Sequence, residues 1–226
     1  MLKGIFRLKQ YFIALILLLL AAAIFNSCFA KAEAFFILNA YHAAWLDEFF
    51  KLITNFGDGL FSIIVVAVLL FFGKKKKATT VLLSYATSGL AAQGLKRIFH
   101  MPRPKIFLEE AALHYPNFVE GVNLYGSNSF PSGHTTSAFA LATAIVLVYK
   151  KKRISFYALL FAVLIGYSRI YLAQHFMQDV ILGAMIGTIF ALISYYQVYD
   201  QKLFRSYKVN KRHKRLRAFR KQALTV

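Results

Sequence analysis

Apolar runs of membrane length, separated by short basic blocks, constrain this chain more than any other feature. From Tyr11 to Ala30 the sequence carries the core LILLLLAAAIF, and further apolar stretches fall at 59–73, 78–95, 134–149, 155–171 and 179–198. A run of about 20 such residues can cross a hydrocarbon core as a helix. In that medium every backbone N–H and C=O must be satisfied within the segment or in a closed barrel, so six such runs predict a helical bundle. With 58% hydrophobic and 16% charged residues, the chain reads as all-α: one polytopic membrane domain over 1–201 with six transmembrane helices, followed by a basic tail at 202–226.

Lys3, Arg7 and Lys9 precede the first run, as they would in a signal peptide or a first span. Its apolar core exceeds the roughly 7–15 residues of a signal-peptide h-region, which favours an uncleaved helix. Phe25 and Asn26 before Ser27-Cys28 make a poor lipoprotein site, and with Cys28 as the only cysteine no intrachain disulfide can form. Between 41 and 58, Trp45, Phe49, Leu52, Ile53 and Phe56 recur at helical spacing among Asp47, Glu48 and Lys51, the pattern of a helix lying in the interface. Gly57-Asp58-Gly59 then breaks the pattern. The third run carries Ser84, Thr87, Ser88 and Gln93, suited to packing inside a bundle or lining its lumen.

The net charge of +19 raises nucleic acid as a partner, but the cations come in blocks. The amino end has three, the Lys74 block four, the Lys150 block four and the tail ten, together 21 of the 28 lysines and arginines. Six spans put all four blocks on one side, expected to be the cytoplasm, with both termini there. In the tail only Phe204, Tyr207 and Phe219 interrupt the cations, which is no stacking platform for bases. Anionic lipid headgroups are the expected partner of the tail, and nucleic acid is not.

On the opposite face, periplasmic or extracellular if the membrane is a plasma membrane, the same count brings together the segments 96–104, 131–134 and 169–175. In the last, a helix beginning near His175 would place Asp179, four residues on, on the same face. A carboxylate taking the proton of one imidazole nitrogen leaves the other nitrogen free to attack an electrophile. Arg169 offers a planar fork for an oxyanion beside it. Taken alone, the stretch is equally well explained by a helix-end Arg, a capping His and an Asp favoured by the helix dipole.

Lys96 and Arg103, held in a turn where Pro102 and Pro104 end helicity, add two more cations, a number suited to a dianionic phosphate. Ser132 and Gly133 precede a helix, so their N–H groups can face an anion, and His134 in its first turn can protonate a leaving oxygen. Singly, these are also what an ordinary helix start and headgroup anchors look like. Their convergence on one membrane face is what favours a site. No cluster of His, Cys and carboxylates suggests a metal, and Glu109-Glu110 read as solvated loop charges or gating groups.

These residues resemble the type 2 phosphatidic acid phosphatase (PAP2) family, which shares a fold with the vanadium haloperoxidases. The resemblance runs from about 41 to 198. Lys, six residues, Arg-Pro is met by Lys96 and Arg103-Pro104; Pro-Ser-Gly-His by Pro131 to His134; Ser-Arg, five residues, His, three residues, Asp by Ser168-Arg169, His175 and Asp179. The resemblance implies that His175 attacks phosphorus to form a phosphohistidine, that Asp179 orients it and that His134 protonates the departing group. It implies that Lys96, Arg103, Arg169, Ser132 and Gly133 bind the phosphate, with no metal or cofactor. A phosphate site at bilayer height suits a lipid phosphate or diphosphate. Members of the family act on phosphatidic acid, phosphatidylglycerol phosphate, undecaprenyl diphosphate or lipid A. The rival expectations are an undecaprenyl-diphosphate phosphatase specifically, or a non-catalytic lipid-phosphate transporter or binding protein.

Overall fold

The computed structural model describes residues 8–199. The basic tail at 202–226, with its expected lipid contacts, lies outside the described residues, as do Lys3 and Arg7. The described residues form helices α1 (Lys9–Cys28), α2 (Lys31–Leu38), α3 (Ala44–Thr54), α4 (Gly59–Phe71), α5 (Lys75–Phe99), α6 (Pro104–Glu110), α7 (Gly133–Tyr149), α8 (Lys152–Tyr171) and α9 (Met177–Tyr199). A 3-10 turn, Asn55–Gly57, links α3 to α4, and there is no strand among the described residues.

Helices α1, α8 and α9 are each long and apolar enough to cross a membrane. The α3 segment with its 3-10 turn and α4 together make a fourth candidate, bent by 57° between Gly57 and Gly59. Length and composition thus support three spans, or four with the bent pair, where the sequence reading expects six. The shortfall lies in α7, apolar but only 17 residues long, and in α5, whose 25 residues include many serines, threonines and lysines. Both helices are placed where hydropathy is a poor guide. Most positions of α7 are buried, so it is wrapped by protein. In α5 the hydroxyls bond back into their own helix, Ser84 to the Thr80 carbonyl at 2.6 Å and Thr80 to that of Lys76 at 2.9 Å, which satisfies them without water. Within 41–58 a helix does form, as α3, and the bend at Asp58 joins it to α4 as one candidate span.

Close approach of α7 and α9 forms the centre. A methyl group on Gly183 would stand 2.7 Å from the Ser132 carbonyl oxygen, so only a residue without a side chain permits this spacing. Around the pair, Leu8, Tyr11 and Leu15 of the N-terminal segment bury against Phe139, Val146 and Ile165, and the Tyr11 hydroxyl meets Thr143 Oγ1 at 2.8 Å. Val66, Leu69 and Val81 close the other side against Leu141. Outward-facing residues such as Leu17, Ile24, Phe71 and Leu90 are exposed and apolar, as a lipid-facing surface requires.

Connectivity sorts the charges between the bundle's ends. Lys74–Lys77 and Lys150–Arg153 lie at the α4–α5 and α7–α8 turns, whereas the C-termini of α5 and α8 and the N-termini of α7 and α9 meet at the other end. That second end is roofed by residues 100–132. Phe35, Leu108, Tyr115 and Phe176 pack there, as do Phe50, Val119, Tyr171 and Leu172. His42 pins the roof to the bundle. Its Nε2 lies 3.0 Å from the Tyr115 hydroxyl and its Nδ1 3.3 Å from Asp47 Oδ1, which also accepts from the Tyr171 hydroxyl at 2.5 Å.

The roof corrects one expectation. Helix α5 stops at Phe99, with His100 left-handed at φ 44°, before either proline is reached. Pro104 does not end a helix but begins α6, at the first helical position, where its missing N–H is not needed.

Candidate active site

His175 lies in the turn Leu172–Phe176 between α8 and α9, not on a helix. Two bonds to one acceptor shape this turn: the N–H groups of Gln174 and His175 both donate to the Arg169 carbonyl, at 2.9 and 3.0 Å. The expectation that His175 and Asp179 meet as helix neighbours four apart is therefore corrected. Asp179 is the third residue of α9 and reaches back over the helix start, where its Oδ2 accepts from the Phe176 N–H at 3.0 Å. The same oxygen lies 3.4 Å from His175 Nδ1 and accepts from the Ser129 hydroxyl at 2.5 Å. His175 Nε2 carries no hydrogen bond among the described residues. With Nδ1 facing a carboxylate, the proton belongs on Nδ1 and the lone pair on Nε2. His175 is 1% exposed, and burial, only partly offset by Asp179, pushes its pKa down to about 3. It stands as a neutral imidazole at physiological pH.

The three cations named by the motifs come from three different segments. Lys96, in the last turn of α5, donates to the Asn128 carbonyl at 2.6 Å. Arg103, just before α6, donates through Nε to the Ser127 carbonyl at 3.0 Å and through Nη1 to Gln174 Oε1 at 2.9 Å, with its guanidinium 5.1 Å from the centre of the Tyr125 ring. Arg169, near the end of α8, donates to Thr54 Oγ1 at 2.5 Å, while its Nε is buried without a partner. None of the three forms a salt bridge among the described residues. Arg103 and Arg169 lie within electrostatic reach of Lys96, of His134 and of His175. Three cations and the Asp179 carboxylate leave two uncompensated positive charges around a neutral His175.

At the start of α7, Ser132 is the N-cap and wholly buried. Its N–H donates to the Asp179 carbonyl at 3.0 Å and its hydroxyl lies 2.9 Å from Thr135 Oγ1. The expectation that both N–H groups face an anion is thereby narrowed to Gly133, whose N–H takes no partner within the helix. His134 follows in the first turn, partly exposed.

Sequence reasoning missed the residues that hold this assembly: Ser129 on Asp179, Thr54 on Arg169 and Gln174 on Arg103. It also missed Lys31, whose Nζ stands 4.1 Å from the Phe176 ring centre and within electrostatic reach of Asp179. Among the described residues no group of three or more His, Cys, Asp or Glu side chains gathers to hold a metal ion.

Comparison with known proteins places these observations. A family model described as the PAP2 superfamily matches residues 77–203. The chain is 34% identical over 107 residues to a lipid A 1-phosphatase of Rhizobium johnstonii, a stretch covering 47% of this chain but only 42% of that protein. It is 29% identical over 212 residues to phosphatidylglycerophosphatase B of Bacillus subtilis, covering 87% of this chain and 97% of that one. Among solved structures, a crystal structure of Aquifex aeolicus LpxE superposes with a TM-score of 0.62 at 34% identity, over 74% of this chain and 95% of that one.

Proposed function

The chain belongs to the PAP2 superfamily, and from that premise we propose that it is a membrane phosphatase hydrolysing a phosphate monoester or diphosphate of a lipid through a phosphohistidine. The observation that carries this reading is the neutral His175 fixed by Asp179 beside three cations that form no salt bridge among the described residues. A bound dianion would neutralise the cup's net charge and give the orphaned Arg169 Nε an acceptor.

In the reaction, the Nε2 lone pair attacks phosphorus while the bond from phosphorus to the lipid oxygen breaks in line with it. Burial and the Arg169 charge by themselves hold the His134 pKa down to about 3. The negative charge of a bound phosphate, with Asp58 nearby, raises it, so that His134 carries the proton which the lipid oxygen takes as it departs. Positive charge develops on the imidazole, where Asp179 compensates it. Lys96, Arg103, Arg169 and the Gly133 N–H hold the equatorial oxygens, the electrostatic contribution expected to dominate phosphoryl transfer. Ser132 acts by tying α7 to α9. Water then attacks the phosphohistidine, His134 accepts its proton, and inorganic phosphate leaves as His175 is regenerated. The cations perform the charge neutralisation that a metal supplies in other phosphotransfer sites.

The charge pattern supports the proposed bilayer placement. Six bundle helices span the membrane, both termini and the basic turns lie in the cytoplasm, and the cup opens at the periplasmic or extracellular interface, where a lipid phosphate presents itself. Phosphate release by the purified protein from phosphatidic acid, phosphatidylglycerol phosphate, lipid A and undecaprenyl diphosphate tests the reading. Cleavage of at least one, abolished in His175→Ala, is expected. A folded wild-type protein that releases phosphate from none, while binding or moving a lipid phosphate, would instead be a transporter or binding protein.

A further inference from the structure

Next to the cup, a recess of about 540 Å³ opens between the start of α4, the middle of α5 and the start of α7. His134 and Gly133 form one wall, and Asp58, Tyr85, Gln93 and Ser137 line the rest. Among the described residues no hydrogen bond or ion pair engages the side chains of these last four. Asp58 is the most telling of them. It occupies the N-cap of α4, where an aspartate ordinarily accepts from the helix's own N–H groups, yet its carboxylate makes no capping bond. Exposed to solvent, it lines the recess instead, within electrostatic reach of His134. The flanking glycines let this turn pack close to α5 and α7. A methyl group on Gly57 would stand 3.0 Å from His134 Cβ, and a side chain on Gly59 would overlap the Tyr85 hydroxyl.

In-line displacement fixes what the recess is for. The leaving oxygen lies opposite His175, and the acid that protonates it must touch it, so the remainder of the leaving group begins beside His134. We propose that the recess receives that leaving group, and that the Asp58 carboxylate selects a neutral, hydroxyl-bearing alcohol, such as a sugar or glycerol, over the anionic phosphate departing from a diphosphate. Gln93, Ser137 and Tyr85 supply donors and acceptors for hydroxyls. Asp58 supplies a further acceptor and, against a phosphate, repulsion at short range. This rests on the phosphatase reading above and adds to it a substrate class.

The test compares kcat/KM for the lipid monophosphate that wild-type protein cleaves fastest with that for undecaprenyl diphosphate. Asp58→Asn, which keeps a good N-cap residue, is expected to shift the ratio toward the diphosphate by about tenfold. Where wild-type protein cleaves no diphosphate, the same variant is expected to begin doing so. Asp58→Ser serves the same purpose should the asparagine variant fail to fold. Gln93→Leu is expected to raise KM for a glycerol-bearing or sugar-bearing substrate while leaving KM for the diphosphate unchanged. An unmoved ratio, or an equal fall for both substrates, would make Asp58 a mere support of His134 and overturn the proposal. His175→Ala separates the two levels. If wild-type protein cleaves nothing, the phosphatase reading fails and this inference with it. If cleavage depends on His175 but the ratio does not move, the leaving-group inference alone is lost.

Discussion

The Ser129 hydroxyl donates to Asp179 Oδ2 across 2.5 Å, joining residues 50 positions apart in the chain. The same hydroxyl lies 3.4 Å from His175 Nδ1. Asp179 orients the imidazole, and Ser129 and the Phe176 N–H together orient Asp179. Ser129→Ala removes one of these two supports without removing the carboxylate. The expected result is a fall in kcat of about tenfold with KM nearly unchanged, because the interaction matters most when the imidazole becomes positive. Asp179→Asn, which loses the charge itself, is expected to fall by about 10³–10⁴. Steady-state kinetics on the three proteins check the order.

Gln174 plays the corresponding role for substrate binding. Its Oε1 accepts from Arg103 at 2.9 Å and its amide donates to the Asn123 carbonyl at 3.0 Å, tying the guanidinium to the roof. Gln174→Ala leaves Arg103 without one anchor. KM and the inhibition constant for vanadate, whose trigonal-bipyramidal form resembles the transferring phosphoryl group, are expected to rise together by about fivefold to tenfold. Inhibition and turnover assays on one preparation test this; a change in kcat alone would assign Gln174 a different part.

What could be read from the chain beforehand divides along a physical line. Lys96, Arg103, His134, Arg169, His175 and Asp179 were legible because each sits in a short motif and the alternating direction of the helices brings the motifs to one end. Ser129, Thr54 and Gln174 were not, since a hydroxyl or an amide acquires meaning only from partners 50 to 115 positions away. The short helices α2 and α6 were missed because seven or eight residues carry too little periodicity to stand out. The spacing of His175 and Asp179 pointed to contact correctly but for the wrong reason: the helix starts after His175, and a capping geometry makes the contact.

Burial of His175 links stability to pH. Its folded pKa of about 3 lies below the ordinary value of 6.5, so between these values the unfolded chain binds a proton that the folded protein does not. The contribution is fully present above pH 6.5 and is lost progressively as pH falls toward 3. Between pH 7 and 5 the unfolded side alone corresponds to about 2 kcal/mol for one histidine. Thermal unfolding in detergent is expected at lower temperature at pH 5 than at pH 7, with a shallower dependence in His175→Gln. Parallel pH dependences would show that burial of His175 is not the cause.

Orientation in the membrane can be read from the single native cysteine. Cys28 is exposed at the C-terminal end of α1, whose N-terminal end carries the first basic block. If the six proposed spans cross and the basic turns face the cytoplasm, one crossing puts Cys28 on the same side as His175, since the ends of α5 and α8 would be reached after three and five crossings. A membrane-impermeant maleimide added to intact cells is therefore expected to label Cys28. In a Cys28→Ser background it should also label Glu110→Cys on the roof, but label Lys151→Cys in the α7–α8 turn only after the membrane is opened. Glu110 and Lys151 are both exposed, so access to solvent does not distinguish them. Labelling of the Lys151→Cys position from outside would invert the bundle and put the phosphate cup in the cytoplasm, against the positive-inside bias of its basic turns.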